Sequence, residues 1–184
     1  MVEVEQKFRG VDFTALEQKL RSLGAAEGER HSEADHYFNA PDRDFAKTDE
    51  ALRIRRVGTI YRVTYKGPKR DQFTKTRTEI EVPLADGEDT AEDFARLLVQ
   101  LGYRPTAVVR KDRRTFHLKR DGFDLVVTLD DVHEVGQFAE LEIGVAEEQL
   151  DAARTTLLRA AAELGLTHSE RRSYLEMLLS KRGI

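Results

Sequence analysis

Val2-Glu3-Val4-Glu5-Gln6-Lys7-Phe8 alternates apolar and charged residues, and that alternation decides the fold. Read as a strand, it sends Glu3, Glu5 and Lys7 to one face and Val2, Val4 and Phe8 to the other, because strand side chains alternate with period two. Two further stretches repeat the acidic pattern: Glu79-Ile80-Glu81-Val82 and Glu140-Leu141-Glu142-Ile143. Cationic segments follow the same rule. Arg53 and Arg55 oppose Leu52 and Ile54, Arg62 and Lys66 oppose Tyr61, Val63 and Tyr65, and Arg77 shares the face of Glu79 and Glu81. Lys111 and Arg113 lie with Thr115, and Asp124, Thr128 and Asp130 oppose Leu125, Val127 and Leu129.

Besides the first strand, alternation and β-branched content predict strands over 34–38, 51–57, 60–66, 76–82, 108–118, 123–130 and 138–145. Turn signals separate them at Asn39-Ala40-Pro41-Asp42, Val57-Gly58-Thr59, Gly67-Pro68 and Asp121-Gly122, the last a strong hairpin signal. Four helices are expected. Asp12 caps one carrying Phe13, Leu16, Leu20 and Leu23, stopped by Gly24. A second starts at Thr90, with Asp93 in the place of a capping box, and ends at Gly102. A third covers about 147–164 and ends at Gly165; a fourth begins near Ser169 or Glu170 and carries Tyr174, Met177 and Leu178. The first three end in Leu-Gly and each follows an acidic strand, so the chain reads as a degenerate internal repeat. Short turns between successive strands imply an antiparallel sheet. The expected class is α+β: a closed antiparallel β-barrel of about eight strands with helices packed outside, in one domain over residues 1–184.

Composition narrows the function. The chain has no cysteine, which excludes disulfides and thiolate metal sites and suits a reducing compartment. No run approaches the ~18 apolar residues of a membrane span, and the first residues form an acidic strand rather than a leader. A soluble, cytoplasmic protein with no membrane partner is expected. Net charge is −4 although 35% of residues are charged, a balance that argues against nucleic acid as partner. Ample apolar strand surface is compatible with a homodimer.

An exposed sheet face is commonly charged. Here, however, long cations and paired carboxylates recur on nearly every strand, with almost no Ser, Asn or Gln among them. A barrel interior built this way must pair its ions, coordinate metals or bind a polyanion, since unpaired buried charge is costly. Carboxylates without Cys or clustered His fit hard cations, Mg²⁺ or Mn²⁺. Arginine forks and lysine ammoniums fit phosphate oxygens. No G-x-x-x-x-G-K-[ST] loop is present, so side chains must hold the phosphates.

In this setting Glu3-x-Glu5-x-Lys7 resembles the signature of the CYTH superfamily, the triphosphate tunnel metalloenzymes. Further segments match in order: Asp35-His36-Tyr37-Phe38, Leu52-Arg53-Ile54-Arg55, Tyr65-Lys66-Gly67-Pro68, Arg77-Thr78-Glu79-Ile80-Glu81, Lys111-Asp112-Arg113, Gly136 to Glu142, and Arg172-Ser173-Tyr174. Length and the closing Arg-Ser-Tyr segment look most like the class IV adenylyl cyclase branch. Asn39 stands where that family usually has an acid, and Val135 where Leu is common.

The resemblance implies a catalytic set of Glu3, Glu5, Lys7, Glu140 and Glu142. Metal would be held by Glu3, Glu5, Glu140 and Glu142, with Glu81 and Asp130 as further candidates. Lys7, Arg53, Arg55, Lys66, Arg77, Lys111 and Arg113 would hold a triphosphate, as would Arg172 if the C-terminal helix caps the tunnel. Glu79 is read as orienting Arg77 or Arg55. Tyr37, Tyr61 and Tyr65 are read as packing residues, His133 as a solvated loop residue, and Lys69-Arg70-Asp71 as solvated charge. The substrate would be ATP, tripolyphosphate or thiamine triphosphate. Cyclisation of ATP to cyclic AMP and pyrophosphate ranks first, hydrolysis of a triphosphate second, and non-catalytic sensing of a polyphosphate or nucleotide third.

Overall fold

The computed structural model describes residues 2–68, 77–85 and 87–184. Eight strands form one antiparallel sheet: β1 (Val2–Arg9), β2 (Ala26–Asn39), β3 (Ala51–Val57), β4 (Ile60–Lys66), β5 (Glu79–Pro83), β6 (Arg104–Arg120), β7 (Phe123–Val132) and β8 (Gly136–Val145). Their order in the sheet is β1-β8-β7-β6-β2-β3-β4-β5. The helices are α1 (Phe13–Ser22), α2 (Phe45–Thr48), α3 (Glu88–Gln100), α4 (Leu150–Glu163) and α5 (Tyr174–Arg182), with a 3-10 turn at Glu147–Gln149. Among the described residues no ladder joins β1 to β5, so the sheet is a curled half-barrel with an open seam rather than a closed ring. Lys69, Arg70 and Asp71, and the first residue of the strand expected over 76–82, lie outside the described residues.

Alternation sorts the sheet's two faces as expected. The outer face carries Val4, Phe8, Leu125, Val127, Leu129, Leu141 and Ile143, packed with Phe13, Leu16 and Leu20 of α1 and Ala153, Leu157 and Ala160 of α4. A second outer cluster sets Phe38, Ile54 and Tyr61 against Ala91 and Leu98 of α3. The exception is α5. Its Tyr174, Met177 and Leu178 pack on Tyr37, Val109, Val132 and Phe138, which stand on the charged, inner side of their strands. One helix thus lies on the inner face, contrary to the expectation that all pack outside.

Local signals explain most boundaries. Asp12 accepts a hydrogen bond from the Ala15 amide and caps α1. Leu23, Leu101 and Leu164 cap the C-termini of α1, α3 and α4, each followed by a glycine at positive φ. Asp121 and Gly122 both have positive φ, the primed-turn geometry that joins β6 to β7 tightly. Two helix starts differ from expectation. Gly87, not Thr90, precedes α3, and no side chain caps it. The fourth expected helix begins at Tyr174, where Ser173 and Glu176 form a reciprocal capping box. The segment before it is extended instead: Arg9 donates to the His168 carbonyl (2.9 Å) and Glu170 to that of Lys7 (2.8 Å), covering part of the β1 edge. No helix of the described residues is long and apolar enough to cross a membrane.

Candidate active site

The inner face encloses a cavity of about 320 Å³. Its lining includes Glu3, Glu5 and Lys7 from β1, Arg53 and Arg55 from β3, Lys66 from β4, and Glu79 and Glu81 from β5. Arg77, Lys111, Arg113, Glu140 and Glu142 also line it. Nearly the whole set expected from the sequence is therefore gathered in one cavity, because strand register brings it there. Glu5 stands opposite Glu142 and Lys7 opposite Glu140 on the β1–β8 ladder. Arg55 stands opposite Asp35 and Lys111 opposite Glu33 on the two ladders of β2.

The cationic wall is backed by buried acids. The Asp35 carboxylate accepts from Arg55 Nε (2.7 Å), from a second Arg55 nitrogen (2.8 Å) and from Arg53 (3.1 Å). Glu33 lies within 2.9 Å of Arg55 and 3.0 Å of Lys111. Burial alone would raise both carboxyls. The surrounding guanidiniums and the Lys111 ammonium outweigh it, holding Asp35 well below its ordinary value and Glu33 at about 2. Lys111 is shifted down by burial and by Arg113, with Asp130 and Glu33 opposing the shift. Lys7 is 1% exposed; its ammonium donates to the Arg172 carbonyl and sits 4.1 Å from the Tyr174 ring centre.

The acidic wall has the opposite character. Glu142 is pushed up to about 7, first by burial and then by Glu3, Glu5 and Glu140. Glu3 is raised by burial and by Glu79 across the seam, with Lys66 opposing. Burial and the neighbouring carboxylates penalise the charged form, and a bound cation would remove the penalty. The donors are all carboxylate oxygens, which suits Mg²⁺ or Mn²⁺. Among the described residues no three His, Cys, Asp or Glu side chains converge into a finished metal cluster. The set fits an open site, in which a divalent ion takes some ligands from protein and the rest from substrate oxygens and water.

Three expected roles change. Asp130 is fully buried and spent on cations: Arg113 reaches it at 2.7 and 2.5 Å, and the Tyr174 hydroxyl donates to it at 2.9 Å. It holds Arg113 rather than facing the cavity as a metal ligand. The Arg172 guanidinium pairs with Glu170 at 2.6 Å outside the cavity lining, and only its backbone carbonyl serves the site, through Lys7. Glu79 pairs with Lys66 at 2.5 Å, not with Arg77 or Arg55. Glu81 lines the cavity but also accepts from Arg62 (3.0 Å) and Thr64 (3.3 Å).

Four site residues were not read as such from the sequence: Glu33, Asp35, Glu50 and Tyr174. Asp35 stands in the quoted Asp-His-Tyr-Phe segment, and Glu33, two residues earlier, shares its strand face, so period two was the available signal. Glu50 gathers Arg43 and the Tyr65 hydroxyl at the cavity lining, a contact no local pattern announces. Tyr61 packs in the outer cluster, Tyr37 packs under α5 and also lines the cavity, Tyr65 donates its hydroxyl to Glu50, and the His133 side chain is exposed.

A CYTH domain signature matches residues 1–174. Over 180 residues the chain is 36% identical to a Methanocaldococcus jannaschii protein provisionally named an adenylate cyclase, covering 96% of this chain and 98% of that one. A Pyrococcus horikoshii protein of solved structure superposes with a TM-score of 0.85 at 37% identity, over 98% of this chain and 99% of that one. A Hippeastrum protein, provisionally an adenylyl cyclase and described as having a dominant triphosphatase activity, shares the fold. Its TM-score is 0.67 at 14% identity, over 97% of this chain and 95% of that one.

Proposed function

The chain belongs to the CYTH domain family, and from that premise we propose that it is a divalent-metal-dependent enzyme that converts ATP to cyclic AMP and pyrophosphate. One observation carries the reading: a single cavity sets Lys7, Arg53, Arg55, Lys66, Arg77, Lys111 and Arg113 against Glu3, Glu5, Glu140 and Glu142. The cations would hold the triphosphate through side-chain donors and stabilise charge on the phosphoryl oxygens during in-line transfer. Glu3, Glu5, Glu140 and Glu142 would hold the metal, with Glu81 on the facing edge. When bound, Mg²⁺ or Mn²⁺ would neutralise phosphoryl oxygens and assist the attacking or leaving oxygen. In the reaction the ribose 3′ oxygen bonds the α-phosphorus, its proton leaves, and the bond from that phosphorus to pyrophosphate breaks. The edges of β1 and β5 would come together around a polyanion and its metal bound in the cavity and turn the half-barrel into a tunnel.

The provisional name of the 36% identical relative favours cyclisation. Phe45, Leu175 and Leu179 also line the cavity and offer apolar surface to a nucleoside. Hydrolysis of a triphosphate by water is the second reading. It is favoured because the polar donors assembled here address phosphate oxygens, and positioning alone separates the two outcomes. Neither reading requires nucleic acid or a membrane, and a cysteine-free chain suits the cytoplasm. Purified protein incubated with ATP, tripolyphosphate or thiamine triphosphate plus Mg²⁺ or Mn²⁺ should release cyclic AMP and pyrophosphate from ATP. Orthophosphate alone would transfer the assignment to the triphosphatase, and binding without any product would make the protein a sensor. Glu5→Ala should abolish turnover while the far-UV circular dichroism stays unchanged.

A further inference from the structure

His31 stands on the same face of β2 as Glu33 and Asp35, two residues before the first of these acids. Its Nε2 lies 2.9 Å from Glu33 Oε1. Glu33 is nearly fully buried and absent from the cavity lining, behind the cations that line it. Its two oxygens divide the work. Oε1 meets His31, with Arg113 Nε at 3.8 Å, while Oε2 meets Arg55 at 2.9 Å and Lys111 at 3.0 Å. The Oε2 contacts are close but poorly aligned as hydrogen bonds, so they attract the two cations without consuming their N–H donors. Among the described residues, the one aligned side-chain hydrogen bond to Glu33 is therefore the one from His31. An ionised carboxylate only accepts, so the ring proton sits on Nε2. The other ring nitrogen, Nδ1, is buried without a hydrogen-bond partner, 3.8 Å from Glu29.

We propose that His31 is a positioning residue for the triphosphate site: by donating to Glu33 from behind, it fixes the carboxylate that holds Arg55 and Lys111 toward the phosphates. The inference rests on the reading of the cavity as a triphosphate site. Without the donor, Glu33 can rotate toward its cations, make aligned hydrogen bonds with them and withdraw their donors from the ligand.

The test is equilibrium binding of tripolyphosphate, with Mg²⁺ present, to the full chain and to His31→Ala, His31→Phe and His31→Gln. Gln offers a donor where Nε2 was; Ala and Phe do not, and Phe keeps the ring's volume if Ala fails to fold. Loss of a hydrogen bond to a charged group predicts affinity weakened roughly tenfold in Ala and Phe, and near-native affinity in Gln. Native affinity in Ala and Phe would overturn the inference and leave the triphosphate reading standing. Gln binding as weakly as Phe would also overturn it, because the donor would then not matter. An unmodified chain that binds no tripolyphosphate would remove the reading and the inference together.

Discussion

The two walls of the cavity carry opposite charges and are built on opposite principles. On the cationic wall buried acids stand behind four of the cations: Asp35 serves Arg53 and Arg55, Glu33 serves Arg55 and Lys111, and Asp130 serves Arg113. On the acidic wall Glu5 stands opposite Glu142 on a ladder, and the charge of Glu79 raises Glu3. Like charges placed so destabilise a sheet. The cationic wall is largely neutralised before any ligand arrives; on the acidic wall Arg113 reaches Glu140 at 2.8 Å and Lys66 reaches Glu79 at 2.5 Å, while Glu3 and Glu142 keep like charges as neighbours. Preorganised donors spend no reorganisation energy at the moment of reaction, and an only partly neutralised acidic set gives a metal something to relieve.

Removing compensation from the cationic wall should have the largest effect. Asp35→Ala leaves two buried or half-buried guanidiniums without their principal carboxylate. Uncompensated buried charge typically costs about 3–5 kcal/mol. Urea titration should show a loss of that order, and an unchanged midpoint would mean the wall is less tightly coupled than its distances imply. The matching change on the other wall should have the opposite sign for stability. Glu142→Gln removes a carboxylate crowded by three others, so the metal-free protein should be no less stable while Mn²⁺ binding, read by calorimetry, weakens at least about tenfold. Destabilisation together with unimpaired Mn²⁺ binding would assign Glu142 to the structure instead.

Much of this contrast is legible in the sequence, because period two alone tells which residues share a face. Alternation in Val2 to Phe8, in Leu52 to Arg55 and in Glu140 to Ile143 places the lining residues correctly. What alternation cannot give is the partner across the sheet. Asp130 shares a face with Thr128 and is inner as expected, but its role depends on Arg113 standing opposite it and on Tyr174 arriving from a distant helix. The first part of β2 is likewise illegible: Ala26 to Ser32 is polar on both faces and is held as strand by its ladder with β6, across a register shift between Glu27 and Arg30. The inward lie of α5 escapes for a similar reason. Its apolar residues mark a buried stripe without saying which side of the sheet receives it.

Acid and base should separate the walls without mutation. Glu33 is held at about 2 against an ordinary 4.5, so the stability it brings is complete above pH 4.5 and is lost as pH falls toward 2. Glu142 runs the other way. With its value raised from 4.5 to about 7, the folded state holds this proton more tightly than the unfolded chain, and the resulting stability fades as pH rises through 7. Metal-free protein should therefore be most stable on the acid side of neutrality, with thermal midpoints falling in both directions. Mn²⁺ should flatten the upper limb and bind more tightly as pH rises from 6 to 8. A metal-free midpoint that rose steadily through pH 7 would contradict the crowding of the acidic wall.

The smallest expected effect lies where the two walls meet. Tyr174 sends its hydroxyl to Asp130 and lays its ring 4.1 Å from the Lys7 ammonium and 5.4 Å from that of Lys111. Burial, Glu140 and Asp130 all keep the phenol neutral, so it donates to Asp130 and does not compete as an anion. Tyr174→Phe deletes the hydroxyl and keeps the ring. Asp130 retains the Arg113 fork and the nearby Lys111, so the loss should be about 0.5–1.5 kcal/mol, the net worth of one hydrogen bond. Tyr174→Leu removes the ring as well, and with it the surface that faces Lys7, which stands opposite Glu140 on the β1–β8 ladder. If ring and hydroxyl act separately, Phe should lower stability and leave tripolyphosphate affinity nearly native, whereas Leu should weaken both. Equal affinities in Phe and Leu would show that the Tyr174 ring contributes packing rather than placement of the Lys7 ammonium.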